Sequence, residues 1–119
     1  MKTDNVVADR SMEFAVRIVR LYKYLREEKQ EFVLSKQLLC SGTSIGANIH
    51  EAQYAHGKAD FVSKLQIALK EANETSYWLL LLSETDYIVP AEYDRLESSC
   101  RELRITLISS INTAKGNIK

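Results

Sequence analysis

The large apolar side chains of this chain recur at intervals that leave little choice of fold. Val7, Phe14, Ile18, Leu21 and Leu25 follow at spacings of seven, four, three and four. Such intervals return to one stripe of a helix with 3.6 residues per turn. A second segment places Leu34, Leu38, Ile45, Ile49 and Ala52 within an arc of roughly 60° at 100° per residue. Phe61, Leu65, Ala68, Ala72 and Leu79 share one face of a third segment, and Leu96, Cys100, Leu103, Leu107, Ile111 and Ala114 form the seam of a fourth. The spacing predicts helices over residues 5–29, 34–54, 58–85 and 90–114.

Strands have no comparable support. The 119 residues include four glycines and one proline, and no β-branched alternation is bounded by turn residues. His56-Gly57 breaks the pattern before the third helix. Pro90 suits the first turn of the fourth, where its missing N–H costs nothing and Glu92 meets the positive end of the dipole. Links this short force neighbouring helices to run antiparallel. The expected architecture is all-α: an antiparallel up-down-up-down four-helix bundle, forming a single domain over residues 1–119.

Sixteen basic and sixteen acidic side chains cancel, so no global positive field draws in phosphate backbones. The first ten residues lack the apolar core of a secretory signal, and the longest apolar run, Tyr77 to Leu82, is too short to span a bilayer. A cytoplasmic location without membrane contact is expected. Cys40 and Cys100 belong to no CxxC or ligand-spaced cluster and read as reduced, half-buried small hydrophobes.

The stretch CSGTSIGANIHEA, residues 40–52, carries the letters of several chemistries. Gly42-x-Ser44-x-Gly46 matches a nucleophile elbow, but that device needs a strand before the serine and a sheet to hold it strained. Here the helical pattern runs through Ser44, and the nearest candidate bases are His50 and His56. His50-Glu51 opens like a zinc-protease helix, yet the second histidine belongs four residues on, where Tyr54 stands. Gly46 is not followed by the lysine of a phosphate loop, and the Glu-x-x-His pairs of a di-iron bundle are missing. No catalytic, cofactor-binding or metal-binding residues are expected, and both histidines read as surface residues.

At helical spacing Ser41, Ser44, Asn48 and Glu51, with Gln37, form a polar stripe beside the apolar face. The third helix offers Asp60, Lys64, Glu71 and Glu74, with Asp60 and Lys64 at the spacing of an ion pair. Small residues among them (Ser41, Gly42, Ser44, Gly46 and Ala47) permit close helix approach. The stripe reads as a polar seam that fixes register, or as a groove for a ligand or partner. At the end of the third helix, Tyr77 to Leu82 is apolar on every side, whereas a bundle hides one stripe. Tyr77, Trp78, Leu81 and Leu82 are therefore candidate oligomer contacts; the alternative is that the following link folds back over Trp78 in the same protomer.

Ser41-Gly-Thr-Ser-Ile-Gly-Ala-Asn-Ile-His-Glu51, followed by Asp60-Phe61, Ile67-Ala68 and Glu74, resembles the 23S rRNA intervening-sequence proteins over residues 9–115. The resemblance implies a bacterial four-helix bundle that assembles as a homopentamer, in a family that includes the accessory proteins of diversity-generating retroelements. That family commonly has arginine before the first serine and glycine after the glutamate, where this chain has Cys40 and Ala52. Two readings follow. One is a non-enzymatic, self-associating interaction or scaffold protein with an unidentified partner. The other is an RNA- or DNA-binding accessory whose assembled ring gathers basic residues, with Arg10, Arg17 and Arg20 as candidates among Asp9, Glu13 and Glu27.

Overall fold

The computed structural model describes residues 5–116 and contains four helices, α1 (Asn5–Glu27), α2 (Leu34–Ala52), α3 (Lys58–Glu84) and α4 (Pro90–Ala114). Each neighbour in sequence packs antiparallel to the last, giving the up-down-up-down bundle. α2 packs most extensively against α3, while α1 and α4 are the least closely packed neighbours. The bundle measures 45 × 25 × 20 Å.

The apolar stripes meet as the periodicity requires. Phe14, Ile18, Leu25, Leu38, Ile45, Ile49, Leu65, Leu79, Leu96, Leu103 and Leu107 make up most of the fully buried centre. Burying one such side chain contributes about 1.5–3 kcal/mol, so the four stripes supply the main driving force. Ile88, in the link before α4, is also buried and adds to this core.

The first three helices end slightly earlier than their patterns predict, while α4 ends at Ala114 as expected. α1 stops at Glu27 and Gln30 turns left-handed at φ 53°, which sends the Glu31 N–H back to the Leu25 carbonyl at 2.9 Å. Glu31 then does for α2 what an N-cap side chain does elsewhere. Its buried carboxylate accepts from the backbone N–H groups of Val33, Leu34 and Ser35 at 3.1, 3.0 and 2.6 Å. Val33, at the formal cap position, contributes no side-chain bond. Burial raises the Glu31 pKa, but the three backbone donors and the Ser35 hydroxyl outweigh it and hold the carboxyl below its ordinary value. α3 ends in a Schellman turn: Asp86 is left-handed at φ 68°, Tyr87 N–H reaches the Leu82 carbonyl at 2.9 Å and Asp86 N–H reaches Ser83 at 3.1 Å.

Candidate functional site

The α2 motif faces two neighbours at once. A Cβ on Gly42 would come within 2.9 Å of Ile18, and one on Gly46 within 3.3 Å of the Ser11 hydroxyl, so the two glycines admit α1. Ser41 turns the other way, and its hydroxyl meets that of Thr75 on α3 at 3.0 Å. Thr75 is fully buried and was no part of the expected seam. A hydroxyl one turn from Glu71 on the apolar side of α3 is the signal that marks it.

The remaining polar residues of the motif bond largely within their own helix. Ser44 Oγ donates to the Cys40 carbonyl at 2.6 Å and Asn48 Nδ2 to the Ser44 carbonyl at 2.8 Å. Ser44 thus sits on regular helical backbone, with its proton committed to a main-chain acceptor. His50 is exposed and lies 5.4 Å from the Tyr54 ring, and His56 is exposed as well. Among the described residues no group of three His, Cys, Asp or Glu is placed to hold a metal ion.

On α3 the expected Asp60–Lys64 pair gives way to other partners. Lys64 Nζ pairs instead with Glu51 of α2 at 3.4 Å. Asp60 lies in the first turn of α3, and its carboxylate accepts from the His56 N–H of the preceding link at 3.2 Å. Lys64 is half-buried and Glu51 exposed, and the pair is worth at most about 1 kcal/mol. Farther along, Trp78 Nε1 donates to Glu74 Oε2 at 3.1 Å. Burial, and then the charge of Glu74, hold Glu71 above its ordinary pKa, with Lys70 opposing.

The apolar run at the end of α3 divides. Leu79 and Leu82 are 0% exposed, so Leu82 belongs to the core of its own protomer and is not a surface contact. Trp78 and Leu81 are half-buried, whereas Tyr77 is 59% and Leu80 46% exposed. Tyr77 and Trp78 meet edge to face at 5.0 Å. Leu80 replaces Leu82 in the outward set because the core stripe passes through Leu79 and Leu82, three residues apart.

The cysteines depart from the half-buried state expected of both: Cys40 is exposed and Cys100 completely buried. Cys100 Sγ donates to the Ala72 carbonyl at 3.3 Å, within a cluster that the sequence did not reveal. Arg104 crosses from α4 to hydrogen-bond Ser76 of α3 and pairs with Glu97 at 2.9 Å. Burial raises the Cys100 pKa, against the opposing influence of Ser76 and Arg104, so the thiol stays protonated.

Arg17 links the other two candidate arginines, sharing one groove with Arg10 and a separate cleft with Arg20. Arg10 lies in a groove with Glu13 and Glu102. Arg17 donates to Ser99 Oγ of α4 at 2.8 Å. Arg17 and Arg20 also line a cleft of about 440 Å³ between α1 and the start of α4, together with Lys29 and Arg95. Asp86 and Glu92 contribute its two carboxylates.

Fold and surface together define a small antiparallel four-helix bundle with a partly uncovered apolar face on α3 and a charged cleft beside α1; among the described residues no helix is long and apolar enough to cross a membrane. Its sequence matches the family described as 23S rRNA-intervening sequence protein over residues 3–109, and the chain belongs to that family. It is similar to the crystal structure of a protein of unknown function from the S23 ribosomal protein family of Bacteroides thetaiotaomicron, with 60% identity and a TM-score of 0.91. The similarity covers 92% of this chain and 97% of that one. No curated protein matches the sequence.

Proposed function

We propose that this chain is a non-enzymatic, cytoplasmic single-domain bundle that self-associates and serves as an interaction or scaffold component. The observation that carries the reading is the outward face of α3, where Tyr77 and Leu80 stand about half exposed beside half-buried Trp78 and Leu81. Contiguous apolar surface of this kind marks an association site in a water-soluble protein. Glu74, whose carboxylate accepts from Trp78 Nε1, borders it. The family resemblance sets the expected assembly at a pentamer, and a closed ring requires each copy to use two different faces.

Sedimentation velocity and native mass test this directly. The wild type is expected to sediment as an oligomer, and Tyr77→Glu combined with Leu80→Glu is expected to return it to protomers without loss of helicity. Both positions are exposed, so the fold tolerates the change. A wild-type chain that stays monomeric at high concentration, or a double variant that assembles normally, overturns the reading.

The alternative, an RNA- or DNA-binding accessory acting through Arg10, Arg17 and Arg20, has weaker support. Glu13 and Glu102 offset Arg10, and nucleic-acid binding by this face would have to fall steeply with salt. Failure to retard labelled RNA or DNA at low salt removes it.

A further inference from the structure

We propose that the cleft between α1 and the start of α4 binds a nucleoside phosphate, with the phosphate on its arginine and lysine rim and the base against its tyrosines. The proposal concerns one protomer and does not depend on assembly. The cleft exists because α1 and α4 are the least closely packed neighbours in the bundle. Its volume of about 440 Å³ lies within the 300–1,000 Å³ typical of small-molecule sites.

The lining has the two chemistries such a ligand needs. Four cations, Arg17, Arg20, Lys29 and Arg95, face two carboxylates, Asp86 and Glu92, a local excess of two positive charges in a chain whose total is zero. Glu92 is already paired with Arg95 at 2.6 Å. Arg17 bonds the neutral hydroxyl of Ser99, and the grooves on either side that it also lines hold Glu13, Glu102 and Asp94. Among the described residues Arg20 and Lys29 have no ion-pair partner. Within the cleft lining itself that leaves Asp86 beside Arg20 and Lys29, with Arg17 shared with the acidic grooves on either side. Arginine forks grip phosphate oxygens in pairs.

Away from the rim, the lining is apolar and aromatic. Leu21 and Ile88 are more than nine-tenths buried, and Tyr24 and Tyr87 offer rings against which a planar base stacks. Bare phosphate uses the rim alone, and an uncharged nucleoside uses the walls alone. The charge outside the cleft favours a short ligand over a strand. The grooves that continue along α1 and α4 hold Glu13 and Glu102 on one side and Glu92 and Asp94 on the other, so a polynucleotide leaving the cleft meets carboxylates.

Isothermal titration of the full chain with adenosine diphosphate tests the proposal, with adenosine, inorganic phosphate and a short single-stranded RNA as parallel titrants. One diphosphate per protomer is expected, held at least about tenfold more tightly than adenosine or phosphate, the size of one charge-assisted hydrogen bond. Arg20→Ala with Lys29→Ala, both exposed and so neutral to folding, is expected to weaken it by at least about tenfold. Tyr24→Ala is expected to weaken the diphosphate but not inorganic phosphate. Four outcomes overturn the proposal: no binding at millimolar diphosphate, unchanged affinity in the double variant, phosphate binding as well as the diphosphate, or the RNA binding more tightly at the same residues.

Discussion

Across the α1–α2 seam Gly42 lies so close to Ile18 that an added Cβ would sit 2.9 Å from it, whereas α1 and α4 leave a cleft of about 440 Å³ between them. The first seam is built from small residues, and continues on the far side of α2 as the buried Ser41–Thr75 bond. The second is built from long charged residues, and Arg17 to Ser99 is the side-chain hydrogen bond that crosses it among the described residues. Small side chains bring backbones together and exclude water; long charged ones hold helices apart and keep their heads wet. Close packing is therefore local to the Gly42 level of the α1–α2 seam, since nearer His50 the same two helices part around a groove of about 640 Å³ lined by Met12, Gly46 and His50.

The strongest way to break this contrast is to enlarge Gly42. Gly42→Val puts a branched side chain where a single Cβ already collides, and overpacking costs about 1–3 kcal/mol, occasionally more. We expect a loss of about 3 kcal/mol in urea unfolding. Gly46→Ala is the internal comparison, because its Cβ would meet Ser11 at 3.3–3.4 Å, a separation that small shifts accommodate. The gain of about 1 kcal/mol in helix propensity offsets the crowding, so that variant is expected to be near neutral. Equal stability in the two variants would mean that α1 and α2 are not closely packed at Gly42.

How far the sequence revealed these seams depends on whether the signal is local. Four helices and their core stripes were readable because Val7 to Leu25, and the three patterns after it, repeat within one segment. The small residues of α2 showed that a helix approaches there, and the structure divides them between α1 and α3. Side-chain partners chosen by tertiary position were less legible. Lys64 has Asp60 one turn away and still pairs with Glu51, while Asp60 accepts from the His56 N–H of the preceding link. Leu82 follows the core and Leu80 the surface, a distinction that six apolar residues in a row conceal. The charged cleft joins Arg17, Arg20 and Lys29 to Tyr87 and Arg95, about sixty residues away or more, and no spacing rule connects them.

A smaller effect is expected where α2 begins. Glu31 satisfies three backbone donors there, as an N-cap side chain does, and removing such a cap costs about 0.5–2 kcal/mol. Glu31→Ala is expected to cost near the upper end of that range, because the donors are left beside buried structure. The folded-state pKa of Glu31 lies below its ordinary value of 4.5, so its stabilisation is fully present above that value and is lost as pH falls through the folded pKa. Thermal unfolding of the wild type should therefore weaken on acidification below pH 4.5, and Glu31→Ala should show a shallower acid dependence. Identical profiles would show that the carboxylate anchors nothing.

The weakest expected effect tests the other side of the contrast. Arg17→Ala removes the hydrogen bond to Ser99, but Arg17 is half-exposed and water replaces it on both partners. A change within about 0.5 kcal/mol is expected in urea unfolding, as for ordinary surface substitutions. A loss above about 2 kcal/mol would place Arg17 among buried, structurally committed charges. The α1–α4 side would then be held as firmly as α2 by a different chemistry, and the cleft beside it would be too rigid a consequence of that bond to count as slack in the packing.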